Sequence, residues 1–324
     1  MIAVHLLLFA GLVAVAASRW LPWAEWVYRS PQLGLAAWYA VLVSVVGSVA
    51  GAAGSLLLSW PATRDMVCSW WAWCVEGLRG GHGTLGRLVG WTALAVAVVV
   101  MVRASWAGWR AARAAAGRRR EHAEALALIG RDDPRLGVRV VDHPRPAAYL
   151  LPGRGGAVVV TSGTLRELPA GQVAAVLAHE RAHAHGRHHL LLDGVRLLAA
   201  AFPRVAVFGH ALRQIDRLVE LRADEVATTC GHSGLELARA LVALAEAARR
   251  PPTPVPVPVP VGAMAVTGGD ALERVHRLLR PPAPLPRTTR LALTAGLVGL
   301  AAAPVGLLAL AAVFPALGAC VPMG

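Results

Sequence analysis

From Leu33 to Leu58 the chain runs 26 residues without an acidic or basic side chain. A helix needs about 20 apolar residues to cross a bilayer, and within hydrocarbon a helix satisfies its backbone polar groups from its own segment. The stretch therefore reads as a membrane span. Ile2 to Ala17 is a shorter apolar run, Leu88 to Val102 extends to about Trp106, and Leu291 continues to about Leu317. The first run ends in AVAAS, which imitates a signal-peptide cleavage site, but no lysine or arginine precedes it, so it reads as a retained helix. Gly47 and Gly51 make a GxxxG inside the second run and offer a helix-contact face.

The mean hydropathy of +0.53 exceeds that of an ordinary soluble protein. The formal charge is +13, and its basic side is all arginine. The densest basic flank follows the third apolar run, at Arg103, Arg110, Arg113 and Arg118 to Arg120. Positive flanks stay on the cytoplasmic side, so four spans place both termini outside and the polar block between the third and fourth inside. All eleven tryptophans lie in the first 109 residues, mostly at the ends of apolar runs, as an interfacial belt would have them. Membrane lipid is the expected partner. No recognisable nucleic-acid module accompanies the arginines, and direct nucleic-acid binding is not expected. This topology puts Cys68, Cys74 and Cys320 outside and Cys230 inside. It permits one disulfide, Cys68 to Cys74 or one of these to Cys320, with buried thiols as the alternative.

Residues 110–285 hold most of the ionisable groups. VRVV at 138–141, AAYLL at 147–151 and AVVVT at 157–161 are β-rich and separated by proline and glycine turns, which predicts a small sheet. The last of these reads either as an exposed edge that pairs with an extended substrate or as an ordinary sheet strand. From Pro169 the pattern is helical, and PPTPVPVPVP at 251–260 is an extended connector, because alternate prolines lack donors. The apolar stretch from Leu191 to His210 is broken by Arg196, Pro203 and Arg204, so it reads as a hairpin of helices. The expected fold is an α+β membrane protein. Residues 1–109 carry three transmembrane helices (about 2–17, 33–58 and 88–106), 110–285 form a mainly helical domain with a small sheet, and 286–324 carry the fourth helix (about 291–317) and a short tail.

The helical part contains AVLAHERAHAHGRHHL. His179 and His183 are four residues apart on one helix face, close enough for both imidazoles to reach one metal ion. Glu180, directly after the first, is placed to take a proton from a metal-activated water and pass it to a leaving amine. Val173, Val176 and Leu177 would bury this helix. Two third ligands are available. His189 completes HExxHxxGxxH, a metzincin spacing that needs a downstream Met-turn, for which Met264 is the available residue. Glu220 in VELRADEVA is the other, with Asp224 four residues on and able to accept a hydrogen bond from a ligating histidine. His185, His188, Asp193 and His210 lie nearby as auxiliary polar groups or as a helix-end cap.

AVVVTSGTLRELPAGQVAAVLAHERAHAHGRHHL followed by VELRADEVA resembles the integral-membrane gluzincins, both the HtpX-like peptidases and, more closely, the BlaR/MecR-type regulatory metallopeptidases. The resemblance implies a zinc peptidase domain set between a third and a fourth membrane helix. It makes His179, His183 and Glu220 ligands of a Zn2+ cofactor, Glu180 the base and Asp224 the partner of a ligating histidine, leaving His189 beside the site. It further implies a multi-pass cell-membrane protein with a cytoplasmic catalytic domain. Regulated cleavage of a protein or peptide, such as a transcriptional repressor, would be its role. HtpX-like quality control and a non-proteolytic zinc-containing signalling protein are the alternatives. The larger receptors of this type append an extracellular sensor domain after the last helix, whereas this chain stops at Gly324.

Overall fold

The computed structural model describes residues 2–59, 113, 117, 129–151, 157–250 and 268–313. The expected third span at 88–106, the arginine run at 118–120, Cys68, Cys74, Cys320, the connector at 251–260 and Met264 lie outside the described residues. Cys230 is an exposed free thiol.

The described elements begin with three helices, α1 (Ile2–Trp20), α2 (Glu25–Arg29) and α3 (Pro31–Ser59). Four strands follow: β1 (Gly130–Asp133), β2 (Val138–Val141), β3 (Ala148–Leu151) and β4 (Ala157–Thr161). The remainder is helical, in order α4 (Ser162–Glu167), α5 (Ala170–His185), α6 (His188–Ala201), α7 (Ala206–Thr229), α8 (Gly234–Arg249), α9 (Gly268–Leu279) and α10 (Arg287–Val313). Three stretches are long and apolar enough to cross a membrane, Ile2–Trp23, Pro31–Ala53 and Arg287–Leu310, and they correspond to the first, second and fourth expected spans.

Contacts divide the chain into two compact units. The first takes Met1–Val13, Val43–Arg118 and Ala302–Gly324. Here Leu6 of α1 and Ala52 of α3 are buried, with Leu307 and Leu308 of α10 packed against them. A Cβ on Gly51 would lie 3.0 Å from Leu308 and 3.4 Å from Leu6, and one on Gly47 would lie 3.5 Å from Pro304. The GxxxG face therefore lets helices of the same chain approach closely.

The second unit comprises Ala14–Leu42 and Arg119–Ala301. Its sheet has the order β1-β2-β4-β3, with β2 and β4 parallel and the outer pairs antiparallel. Val158, Val159 and Val160 of β4 are all buried, the signature of a strand covered on both faces. Since β4 is interior, it has no free edge to offer a substrate, and the ordinary-strand reading holds. The edges of the described sheet are β1 and β3.

The β4–α4 turn is fixed locally. Thr161 caps α4, its hydroxyl accepting from the Thr164 N–H at 3.3 Å. A Cβ on Gly163 would sit 2.3 Å from the Pro144 carbonyl oxygen, so only glycine fits where the two backbones meet. α5 then packs Val173, Val176 and Leu177 into one core with Val158 and Val160 of the sheet and Leu237 of α8. Along α7 the buried residues Ala211, Ile215 and Leu218 recur at helical spacing. α6 and α7 form the expected helix pair, broken at Phe202 to Val205, with Leu190, Leu197 and Phe202 exposed.

Candidate metal centre

Helical spacing sets His179 and His183 on one face of α5, one turn apart. α7 packs against α5 and brings Glu220 and Asp224 to the same place. The two imidazole Nε2 atoms are 3.1 Å apart, and each Glu220 oxygen faces one of them at 3.4 Å, Oε2 toward His179 and Oε1 toward His183. Among the described residues these three form the group able to hold a metal ion.

The donor set and spacing fit such an ion. Ligands about 2.1 Å from a tetrahedral metal stand about 3.4 Å from one another. Two imidazole nitrogens facing at 3.1 Å, with a carboxylate beside them, repel through their lone pairs unless a cation or a proton lies between. Two nitrogens and one carboxylate are also the ligand types of open zinc sites in peptidases.

The surroundings hold the groups in definite charge states. Nδ1 of His179 lies 2.9 Å from Oδ1 of Asp224, off the line of a good hydrogen bond. Burial opposes a charge on His179, but Asp224 and Glu220 outweigh it and raise its pKa to about 9. Burial likewise opposes ionisation of Glu220, yet His179, His183 and Arg274 hold it well below the usual carboxylate range. Asp224, also working against burial, is held at about 2 by Arg274 and His179. Glu180 behaves differently. Burial raises its pKa even though His179 and His183 pull the other way, so it is the most basic carboxylate of the three.

Two participants carried little signal in the sequence. Arg274 of α9 is buried and donates from Nε and Nη2 to the two oxygens of Asp224, while its Nη1 lies 2.9 Å from Oε2 of Glu220. Its side chain closes the site on the side of the first histidine, with Nη2 3.4 Å from Nε2 of His179. A helix reading GGDALERVHRLL gives no hint of this in a chain with so many arginines. His188, named above only as one of several auxiliary groups, is the other: its Nδ1 lies 3.0 Å from Nδ1 of His183. Burial, with His183 beside it, lowers its pKa to about 4, so it is neutral near pH 7 and free to accept from His183.

The chain after α5 is shaped for that contact. Arg187 adopts the left-handed conformation, with φ 48°. A Cβ on Gly186 would lie 2.3 Å from the His188 ring, so that ring keeps its present place only over a glycine. His189 is the next residue on α6 and is outside the three-residue group. His185 lies on an exposed part of α5 with its Nδ1 2.7 Å from the Arg181 carbonyl, as a helix-end group, and Asp193 faces Arg196 at 3.6 Å.

The model of peptidase family M48 matches residues 112–281, just over half of the chain, and that stretch contains His179, Glu180, His183, His188, Glu220, Asp224 and Arg274. No solved structure gives a significant match.

Proposed function

The chain belongs to peptidase family M48, a family of metal-dependent peptidases, and on that premise we propose that it is a zinc-dependent membrane endopeptidase acting on proteins or peptides. The observation that carries this reading is the cluster of His179, His183 and Glu220 with Glu180 next to the first histidine. In it His179, His183 and Glu220 would hold the zinc ion, and Asp224 would fix the ring of His179 from the Nδ1 side. Bound there, zinc supplies a Lewis acid that polarises a peptide carbonyl and makes water acidic. Glu180, buried enough to be a better base than its neighbours, takes the proton from the attacking water on a carboxylate oxygen and returns it to the departing amine.

Three apolar helices support a membrane location, and the cytoplasmic placement of the catalytic block follows from the arginine-rich flank. Regulated cleavage of a protein such as a transcriptional repressor rests on the BlaR/MecR resemblance. A chromosomal neighbour encoding a winged-helix repressor would favour it over quality control of membrane proteins.

Zinc content and hydrolysis of a quenched fluorescent peptide library, measured on the purified chain and its variants, test the assignment. Glu180→Gln should keep zinc and lose about 10²–10⁴-fold in turnover, the usual contribution of a general base. Glu220→Ala should lose zinc. Full turnover in Glu180→Gln overturns the mechanism, and full zinc in Glu220→Ala with loss in His189→Ala moves the third ligand to His189.

A further inference from the structure

A cleft of about 440 Å³ lies beside Asp224, walled by the ends of α2 and α9, the C-terminal half of α7 and the first turns of α3, α8 and α10. Four arginines line it: Arg29, Arg222, Arg277 and Arg290. Against them stand two carboxylates, and both are already engaged. Asp224 is gripped by Arg274, and Glu225 accepts from Arg222 at 2.9 Å. Three guanidinium groups therefore have no matching carboxylate in the cleft wall.

The hydrogen bonds of these arginines position them without neutralising them. Arg29 donates to the carbonyls of Ala283 and Pro284, at 3.1 and 3.4 Å, and Arg277 donates to the carbonyl of Tyr28. A carbonyl carries no net charge. Burial holds the Arg277 guanidinium below its ordinary pKa although Glu225, Asp224 and Glu273 pull the other way. The first turns of α3, α8 and α10 in the wall add the positive ends of three helix dipoles. Four guanidinium groups against two carboxylates leave the cleft wall net positive, which favours an anion.

We propose that the cleft is a binding site for a phosphate group, a site separate from the metal-binding group itself although Asp224 borders both. Guanidinium forks match phosphate oxygens in pairs, and several converging on one cavity is the donor pattern such a group requires. The volume exceeds that of a bare phosphate and leaves room for a glycerol-sized substituent. Two of the walls, α3 and α10, are helices able to span a membrane, and the cleft is lined by the first turn of each. An anionic lipid headgroup is the source that this position favours; free phosphate is the source that needs no membrane.

The test uses the full chain in phosphate-free detergent buffer, with inorganic phosphate, dioctanoyl phosphatidylglycerol and dioctanoyl phosphatidylcholine as probes in thermophoretic titrations. Saturable binding of phosphatidylglycerol, displaced by phosphate, is the expected result. Binding of phosphate without phosphatidylglycerol also sustains the site and identifies free anion as its ligand. Arg29→Gln/Arg290→Gln should weaken binding about tenfold or more, the loss expected per charge-assisted contact, whereas Arg249→Gln, exposed and outside the cleft, should not. Arg290 is exposed, so Arg290→Gln alone serves if the double variant does not fold. Equal affinity for phosphatidylglycerol and phosphatidylcholine with no response to phosphate overturns the proposal, as does unchanged binding in a folded Arg290 variant. The measurement requires neither zinc nor turnover.

Discussion

Arg274 and Asp224 form a buried fork: Nε to Oδ2 and Nη2 to Oδ1, each 2.7 Å. Asp224 in turn abuts His179, so a guanidinium from α9 sets the orientation of a carboxylate that sets the orientation of an imidazole. Burial works against the charge on Arg274, yet Asp224 and Glu220 drive its pKa up, and it stays a cation at every pH of interest.

Removing that cation leaves a buried carboxylate unmatched, which costs about 3–5 kcal/mol where one partner of a buried pair is lost. Arg274→Gln should accordingly lower the unfolding midpoint in detergent and weaken metal binding together. Arg274→Lys should fall between, since an ammonium keeps the charge but cannot make the fork. An Arg274→Gln variant as stable as the parent would show that α9 does not secure the site.

His188 should matter to metal affinity without being a ligand. Groups that hydrogen-bond the far nitrogen of a ligating histidine are worth about 10–100-fold in affinity. Chelator competition on His188→Ala should show a loss of that size, and His188→Asn, which offers an acceptor of similar reach, should recover part of it. Unchanged affinity in His188→Ala would remove His188 from the positioning network.

Metal binding should also depend on pH in a definite direction. In the metal-free chain burial disfavours a proton on His179, but Asp224 and Glu220 prevail and raise its pKa to about 9. Below that value the proton must leave before Nε2 can take a metal, so affinity should fall about tenfold for each unit of pH lowered between 9 and 7. Competition titrations at pH 7, 8 and 9 measure the slope, and a flat profile would contradict it.

What the sequence disclosed, and what it hid, divides along local and non-local lines. The bounds of β2 and β4 follow from VRVV and AVVVT, because β-branched residues between turns suffice to mark a strand. β1, GRDD, has no such composition. It is a strand because β2 pairs with it in register and because Arg139 of β2 grips Asp132 at 2.8 Å across the ladder. HERAH and ELRAD were legible for the same local reason, each being a four-residue spacing on one helix. Arg274 was not, as it lies 50 residues from Asp224 in a chain full of arginine, and only the docking of α9 selects it.

Gly163 lets the β4–α4 turn pack against the Pro144–Arg145 backbone, and its replacement should be costly. A Cβ there would meet the backbone of Pro144 and Arg145, atoms that cannot swing aside as a side chain can. Overpacking of this kind costs about 1–3 kcal/mol or more, so Gly163→Ala should unfold at a lower temperature. Gly296→Ala, where nothing lies within 4 Å of the new methyl, should not. Equal melting temperatures for the two variants would contradict the close approach.

Arg274 reaches His179 across 95 residues of chain. A polypeptide emerging from the ribosome therefore presents both histidines and the base long before the guanidinium that steadies Asp224 has been translated. The polar surroundings of His179 are therefore complete only once α9 has been made and has docked against α7.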